Sequence, residues 1–298
     1  AIHVAHSYER VMPGPHYFDS IAKYWRAFAG MNSASAAACS TFLETIVDVS
    51  NFPLTELSSP TSSETAKILE NSYRAVNIAL MDEWGHFAEA IGVDLFEVVQ
   101  AIRVRPTHSN MRQPGLGVGG YCLTKDPYFS AIALEKFFPK ARVDFPLTMR
   151  AMKINEGMPQ STAIRLRELL GGDLKNKHVL VMGASYRGDV GDTRYSPSET
   201  LTRMLMDAGA NIRVHDPLAT TWDLQEIPIE HEVPDPIDFD AVIFATPHSI
   251  FQSINLASWF GHHCPWILDS NNVLSDDQRH YLTGSNANKF VSVGRGKL

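Results

Sequence analysis

The sequence predicts an α/β protein in which a helical region precedes a doubly wound parallel sheet. From residue 178 on, the short apolar runs HVLVMG, NIRVHD, AVIFAT, WILDSN and KFVSVG are separated by helical or loop segments. Continuous apolar runs of this length are typical of strands that are buried on both faces. Before them, residues 64–91 carry apolar side chains at three-to-four spacing without a proline, which predicts one long helix.

The segments before the sheet are mainly helical. The chain opens with a short predicted strand, IHVAH, and a loop punctuated by proline and glycine. Residues 20–48 are predicted to be helical, and Ser62 or Ser63 is expected to cap the long helix. A second helix follows Gly92, and the helical pattern resumes at CLTKDPYF. We therefore predict that the chain divides near residues 155–175 into a helical N-terminal part and a Rossmann-like C-terminal part.

Composition excludes several classes of function. The 298 residues are 44% apolar and 20% charged, with a formal net charge of −7, which disfavours nucleic acid as a partner. No apolar run is long enough to span a membrane, and the first residues do not resemble a signal peptide, so we expect a cytoplasmic protein. The chain has three cysteines, Cys39, Cys122 and Cys264. Because their number is odd and their spacing is not that of metal ligands, we expect neither a disulfide framework nor a metal site.

The motif PGLGVGGYCLTKD, residues 114–126, predicts a reactive cysteine. Gly119 and Gly120 would let backbone amides converge on a small space beside Cys122. If a helix begins near Cys122, its positive end favours the thiolate. Lys125 adds a positive charge, and Asp126 would share the helix face with Cys122 and transfer a proton. The alternative is a small, buried cysteine in a glycine-rich turn.

Two polar side chains on the long helix also suggest a site. Lys67 and Asn71 are four residues apart and therefore project from one face of the helix. An inward-facing pair of this kind would bind an oxyanion or a sugar hydroxyl. Taken alone, the pair is equally consistent with a solvated stripe.

A degenerate nucleotide-binding fingerprint follows the first strand of the C-terminal region. GASYRG, residues 183–188, has the G-x-G-x-x-G spacing, but Ser185 replaces the middle glycine, where a pyrophosphate approaches the backbone most closely. Asp216, which ends the next strand, lies much further along the chain than the roughly 20 residues typical of a ribose-binding acid. We therefore predict a nucleotide site at the switch point of the sheet that is not a proper NAD site. A sheet without a ligand is the alternative.

Together these motifs resemble the UDP-glucose/GDP-mannose dehydrogenase family, whose members oxidise the C6 alcohol of a nucleotide sugar to a carboxylate with two NAD. SYERVMPG resembles the family's Pro-Glu loop, with Tyr8 in place of proline, and ETAKILENSYRAVNIALMDE resembles its dimer-forming central helix. PGLGVGGYCLTKDPYF resembles its cysteine loop. VLVMGASYRGDVGDTRYSP resembles the entry to its UDP-binding domain, with Ser185, Tyr186 and Arg187 where the family usually has Ala-Phe-Lys. The resemblance covers nearly the whole chain. It implies the tail of an α/β domain, the NAD-binding Rossmann domain, over 1–60, a central helical dimerisation and catalytic domain over 61–155, and a UDP-binding Rossmann-like domain over 156–298.

The resemblance implies a role for each of these residues. Cys122 would add to the C6 aldehyde and carry a thiohemiacetal and then a thioester. Lys67 and Asn71 would hold the oxyanion and the attacking water, Asp126 would transfer protons, and Glu9 would assist binding or hydrolysis. The implied substrate-binding residues are Gly119, Gly120, Lys125, Arg187 and Arg194, the two arginines at the pyrophosphate, and Arg105, which would reach a neighbouring subunit's substrate.

The resemblance also implies partners and leaves two functions open. A UDP-sugar, NAD and a homodimer in polysaccharide biosynthesis are expected, yet most of the family's first Rossmann domain has no counterpart here, so no NAD-binding residue is assigned. DPYF is similar to members acting on N-acetylhexosamine or mannosamine sugars, whereas Lys125 is similar to the glucose type; we favour an N-acetylated sugar. The chain is predicted to be a nucleotide-sugar 6-dehydrogenase that is inactive alone. The alternative is a non-catalytic module for nucleotide-sugar binding or oligomerisation.

Overall fold

The computed structural model describes residues 2–286 and 289–296. It contains two compact units. The first comprises residues up to Tyr73 together with Asp126–Phe145, and the second comprises Arg74–Lys125 together with the residues from Pro146 on. The chain therefore passes from one unit to the other at three peptides, after Tyr73, after Lys125 and after Phe145.

The first unit contains a small mixed sheet and short helices. Its elements are β1 (Ala5–Ser7), α1 (Tyr17–Ala22), β2 (Ala27–Gly30), α2 (Ser33–Glu44) and β3 (Thr55–Glu56). The strand order is β1-β2-β3, with β1 antiparallel and β3 parallel to β2. Phe28 packs with Ala36 and Leu43 of α2 beneath this sheet.

The prediction of one helix over residues 20–48 is wrong. The segment AFAG forms β2 between two helices, because both of its edges find strand partners that a local pattern does not reveal. Gly30 ends this strand where a Cβ atom would lie 2.2 Å from the backbone nitrogen of Ala36. The side chain of Asn32 then caps α2 by accepting a hydrogen bond from the amide of Ser35 at 2.9 Å.

The predicted long helix is present as α3 (Pro60–Ile91). Its cap is not Ser62 or Ser63, because the Ser59 hydroxyl accepts a hydrogen bond from the Ser62 amide at 3.1 Å. The next helices are α4 (Leu95–Arg103), α5 (Phe129–Phe137) and α6 (Pro146–Leu169). Among the described residues, no helix combines the length and apolarity that crossing a membrane requires.

The second unit contains the predicted parallel sheet. In chain order its elements are β4 (His178–Met182), α7 (Pro197–Asp207), β5 (Asn211–His215), β6 (Ile229–Glu230), β7 (Ala241–Phe244), α8 (Leu256–Phe260), β8 (Trp266–Asp269), α9 (Asp276–Asn286) and β9 (Phe290–Ser292). The strand order is β6-β5-β4-β7-β8-β9, and every pairing is parallel. This is the doubly wound order, whose switch point lies between β4 and β7. The sequence analysis missed β6.

Apolar residues cover both faces of this sheet. Along β4, Val179 and Val181 belong to the core on one face with Leu201 and Leu205 of α7. The side chains between them, Leu180 and Met182, belong to the opposite core with Phe251 and Phe260. Because alternate residues of one strand enter different cores, the strand appears in the sequence as a continuous apolar run.

Replacing Gly183 by alanine should lower the free energy of unfolding by about 2–5 kcal/mol, measured by urea denaturation. Gly183 has a φ of 106°, and an added Cβ would lie 2.3 Å from the Cβ of Thr246. Gly157→Ala is the matched control, because nothing lies within 4 Å of a Cβ there; this helical substitution should be neutral or stabilising by up to about 1 kcal/mol. Equal stabilities of the two variants would contradict this account of the turn.

Candidate functional site

Arg10 holds the loop after β1 against the start of α3. Its Nε donates hydrogen bonds to both carboxylate oxygens of Glu70, at 3.2 and 3.3 Å, and its Nη2 donates to the Tyr8 hydroxyl at 3.0 Å. The carbonyl oxygen of Trp25 accepts a further hydrogen bond from Arg10. Burial raises the pKa of Tyr8; the charge of Arg10 opposes this rise and Glu70 adds to it. Tyr8 is therefore a structural anchor at the position where the family motif has proline.

Lys67 and Glu9 meet in the first unit. The Lys67 Nζ donates a hydrogen bond to the backbone carbonyl of Glu9 at 3.2 Å and lies 5.8 Å from the centre of the Tyr8 ring. The Glu9 carboxylate accepts a hydrogen bond from the amide of Val11. The contact between these two predicted site residues thus uses the backbone of Glu9 and leaves its carboxylate on an exposed loop.

Asn71 and Asp126 form a buried pair. They are 2% and 6% exposed, and the Asn71 Nδ2 donates a hydrogen bond to the Asp126 Oδ2 at 2.8 Å. For Asn71, the alternative of a solvated stripe is therefore wrong. The pair fixes the orientation of the Asp126 carboxyl, since a buried acid without a donor would be costly.

Cys122 lies on an exposed turn and not at the start of a helix. The amide of Lys125 donates to the carbonyl of Cys122 at 3.2 Å, a 3-10 helix follows over Asp126–Tyr128, and α5 begins only at Phe129. The prediction of a helix N-terminus at the thiol is wrong. An α-helix beginning at Cys122 would need the amide of residue 127 to donate to the carbonyl of Leu123, and Pro127 has no amide hydrogen. The alternative of a buried cysteine is also wrong, since the thiol is exposed.

The glycines before Cys122 allow the backbone to approach Tyr186 closely. A Cβ on Gly119 would lie 2.4 Å from the Cβ of Tyr186, and one on Gly120 would lie 2.9 Å from its ring. Gly120 also has a φ of 83° and donates its amide hydrogen to the carbonyl of Arg194 at 3.0 Å. The amide of Gly120 is therefore satisfied within the protein. Here the bare backbone serves close packing, where the sequence predicted a converging set of amides.

Tyrosine side chains surround this cysteine turn. Burial raises the pKa of Tyr186; the charge of Asp192 adds to the rise, and Arg187 and Arg194 oppose it. The Lys125 Nζ lies 4.5 Å from the centre of the Tyr121 ring, a cation-π contact. The turn that bears Cys122 thus also carries an aromatic ring with a lysine ammonium group over it.

The predicted pyrophosphate-binding arginines differ in their present contacts. Arg187 is exposed directly after Tyr186. Arg194 forms a two-pronged ion pair with Asp192, in which Nη2 and Oδ2 are 2.6 Å apart. This hydrogen-bonded pair raises the pKa of Arg194 and lowers that of Asp192. Arg105 lies on another segment of the second unit, at the start of the 3-10 helix Pro106–His108.

The turn after β4 does not fit the pyrophosphate of NAD. The Asp216 Oδ2 accepts hydrogen bonds from the amides of Ala184 and Ser185 at 2.8 and 2.9 Å and from the Ser185 hydroxyl at 3.0 Å. The His248 Nε2 is a fourth partner at 3.0 Å. Burial opposes ionisation, but the hydrogen bonds, led by that from His248, hold the pKa of Asp216 well below its usual range. A carboxylate thus occupies the place of an anionic ligand.

Two residues of this region had no assigned role in the sequence analysis. In the sequence, Tyr186 is only a departure from the family's phenylalanine, and Asp216 is an acid at the wrong spacing for a ribose. The signal for Asp216 was its position at the carboxyl end of a strand beside the switch point. The contact of Tyr186 with Gly119 and Gly120 has no local signal, because those residues lie far apart in the chain.

The other cysteines are less accessible. Cys39 packs against the core beneath the small sheet, and burial raises its pKa. Burial also raises the pKa of Cys264, where the charge of Lys289 opposes the effect. Among the described residues, no group of three or more histidine, cysteine or acidic side chains is arranged to hold a metal ion.

Two family models match this chain. Residues 61–157 match the central domain of the UDP-glucose/GDP-mannose dehydrogenase family, and residues 180–276 match the UDP binding domain of the same family. The matched residues contain α3, the cysteine turn, the turn after β4 and Asp216.

Several relatives and solved structures are similar to the chain. A UDP-N-acetyl-D-mannosamine dehydrogenase from Pyrococcus horikoshii is 31% identical over 303 residues, which cover 99% of this chain and 66% of that protein. A UDP-glucose 6-dehydrogenase from Rickettsia prowazekii is 25% identical and covers 75% of this chain and 54% of that protein. The structure of the Pyrococcus horikoshii UDP-D-ManNAc dehydrogenase aligns with a TM-score of 0.80 at 29% identity, covering 99% of this chain and 66% of that one.

An NDP-N-acetyl-D-galactosaminuronic acid dehydrogenase from Methanosarcina mazei aligns with a TM-score of 0.82 at 25% identity, covering 99% of this chain and 63% of that one. The chain thus spans less than two thirds of the length of the proteins compared, from 54% to 66%. The matches to both domain models, with a cysteine loop packed on the entry segment of the UDP-binding domain, show that this chain belongs to the UDP-glucose/GDP-mannose dehydrogenase family.

Proposed function

We propose that this chain is the central and UDP-binding part of an NAD-dependent nucleotide-sugar 6-dehydrogenase. The observation that carries the proposal is the exposed Cys122 on a glycine loop that packs on Tyr186 and Arg194. In this arrangement a thiol lies beside the segment that would bind the nucleotide. The proposed domains are residues 1–60, 61–155 and 156–298, as predicted from the sequence.

In the proposed reaction the C6 alcohol of a UDP-sugar loses four electrons and becomes a carboxylate. NAD would supply the oxidising power, two electrons for each of the two oxidations, and no described residue of this chain is assigned to hold it. Between the two oxidations, the Cys122 sulfur adds to the C6 aldehyde, a C–S bond forms, and the former carbonyl oxygen takes up a proton. The second oxidation leaves a thioester. Water then attacks its carbon, the C–S bond breaks, and the carboxylate product and the thiol are released.

The first unit supplies the proposed acid-base groups. The Asn71 amide holds the Asp126 carboxyl at 2.8 Å, which supports a role for Asp126 in proton transfer from the attacking water or the substrate hydroxyl. Lys67 carries a positive charge one helical turn from Asn71 and suits a developing oxyanion. Its hydrogen bond to the Glu9 carbonyl ties the loop that bears Glu9 to α3.

The second unit supplies the proposed nucleotide-sugar site. Arg187 is exposed beside Tyr186, and a guanidinium recognises a diphosphate through two-pronged hydrogen bonds. Arg194 would join it by exchanging its ion pair with Asp192 for one with the phosphate. Lys125, Gly119 and Gly120 lie on the cysteine turn, which packs on Tyr186. Because relatives named for UDP-N-acetyl-D-mannosamine are similar over 99% of this chain, we propose an N-acetylated hexosamine as the sugar.

We also propose that α3 forms a homodimer. Exposed apolar side chains recur along one side of this helix, with exposures of 45–66%: Leu69, Tyr73, Leu80, Trp84, Phe87 and Ile91. Their spacing repeats over a helix about 48 Å long at 1.5 Å per residue. An exposed apolar stripe of this length is typical of a protein interface. A neighbouring subunit would bring Arg105 to this chain's substrate.

Iodoacetamide should label Cys122 at least about tenfold faster than Cys39 or Cys264, because burial raises the pKa of the latter two thiols. Peptide mass spectrometry after short exposures measures the three rates. Saturating UDP-N-acetyl-D-mannosamine should slow labelling of Cys122 and leave Cys264 unchanged. Faster labelling of Cys39 or Cys264, or no protection by any UDP-sugar, would favour the non-catalytic alternative.

The chain should bind UDP, and Arg187→Gln should weaken binding by roughly ten- to a hundredfold, the effect of losing a charged hydrogen bond. Arg203→Gln is the matched control, because it removes the same charge from a half-exposed arginine. Arg203 lies on α7 and pairs with Glu199. Isothermal titration calorimetry measures both. NAD should give no comparable binding, since Asp216 fills the turn after β4. Equal UDP affinity of both variants would remove Arg187 from the proposed site.

The double substitution Trp84→Glu/Phe87→Glu should convert a dimer into a monomer at low micromolar concentration, because it places charges in the apolar stripe. Sedimentation velocity measures the state. Val104→Glu is the control, since Val104 is 82% exposed and lies outside the stripe. A monomeric wild-type chain, or a dimer that survives the double substitution, would contradict the assignment of α3.

A further inference from the structure

The carboxylate of Asp216 fills an anion cradle at the switch point of the parallel sheet. Four donors converge on its Oδ2: two backbone amides, a hydroxyl and an imidazole, all at 2.8–3.0 Å. Its Oδ1 accepts hydrogen bonds from the amides of Leu218 and Ala219 at 2.9 and 2.7 Å. The side chain is completely buried. Backbone amides in this place bind phosphate in dinucleotide-binding domains, and here the protein supplies the anion itself.

The contacts of His248 show which of its ring nitrogens carries the hydrogen. The His248 Nδ1 accepts a hydrogen bond from the amide of Asp189 at 3.0 Å, so Nε2 carries the hydrogen and donates it to Asp216. The ring is buried and packs edge-on against Phe251, with centroids 5.3 Å apart. His248 thus donates to the carboxylate as a neutral imidazole.

The cradle continues directly into the contact with the cysteine loop. The amide of Ser185 is bound by Asp216, and the next residue is Tyr186, whose own amide donates to the carbonyl of Asp192 at 3.0 Å. The Ser185 carbonyl accepts a hydrogen bond from the Thr246 hydroxyl at 2.6 Å. Both backbone polar groups of Ser185, its amide and its carbonyl, are therefore held by hydrogen bonds. The Tyr186 side chain then meets Gly119 and Gly120, which stand just before Cys122.

We propose that Asp216 is a positioning residue for Cys122: as a built-in anion it sets the turn that presses Tyr186 against the glycine loop. The carboxylate touches neither the thiol nor the exposed surface, so it acts through Ser185 and Tyr186. The importance of this arrangement for catalysis rests on the proposed function. The experiment below is independent of that function, because it measures the environment of the thiol and requires no turnover.

The test attaches a trifluoromethyl group to Cys122, in a chain carrying Cys39→Ser and Cys264→Ser, and records its ¹⁹F NMR line. Asp216→Ala removes the anion and leaves the donors unpaired, so the line should shift or split and Tm should fall. Sodium formate supplies a carboxylate of suitable size and should restore both the line and Tm. Sodium chloride at equal ionic strength should restore neither.

Asp216→Asn is the second variant, because it retains the size of the side chain and one acceptor oxygen. It should shift the Cys122 line as Asp216→Ala does, but formate should not restore it, since the amide fills the cradle. This variant decides the question alone if Asp216→Ala does not fold. A label on Cys264, in a chain carrying Cys39→Ser and Cys122→Ser, reports general loosening of the unit. Cys264 lies just before β8, at the end of the strands opposite the turn after β4, so its line should not move.

Two results would overturn the proposal. The first is a wild-type Cys122 line in a folded Asp216 variant, which would leave Asp216 with a purely local structural role. The second is an equal disturbance of the Cys122 and Cys264 labels, which would mean that the substitution loosens the whole unit. A shift confined to Cys122 that formate reverses in Asp216→Ala supports the positioning role.

Discussion

The Asp216 carboxylate fixes the turn after β4 by accepting hydrogen bonds from it. The contacts of Tyr186 with the glycine loop before Cys122 depend on this turn. A buried charge is tolerated only when donors surround it, and six hydrogen bonds from five residues do so here. The same contacts determine what the turn can bind. In a doubly wound sheet this position is available to a phosphate, but a fixed internal carboxylate would repel a phosphate and already uses its donors. The proposed nucleotide site therefore lies along Tyr186 and Arg187, beyond the turn.

Close approach of backbone to side chain is the second constraint. Gly119 and Gly120 are required because the Tyr186 side chain comes too near for any Cβ atom at these positions. The glycine loop is thus a packing surface that presents Cys122 on an exposed turn.

The proposed chemistry is divided between the two units of the chain. The first unit contains an acid held by an amide, Asp126 and Asn71, and a lysine tied to the loop that bears Glu9. The second contains the thiol and the arginines suited to a diphosphate. One of the three peptides that connect the units, between Lys125 and Asp126, lies within the cysteine motif itself. A motif that is continuous in sequence therefore contributes residues to both units.

The sequence by itself determined the parallel sheet and the long helix, because strands buried on both faces and a proline-free apolar repeat leave strong local patterns. It also determined the family, through motifs that keep their spacing. Only the tertiary structure decided that AFAG is a strand, that Cys122 precedes the helix, and that Asp216 occupies the turn after β4. The hydrogen bond between Asp216 and Ala184 joins residues 32 positions apart, and β2 depends on partners from two other segments. Contacts of this range are set by how the whole chain packs, so no local pattern of residues records them.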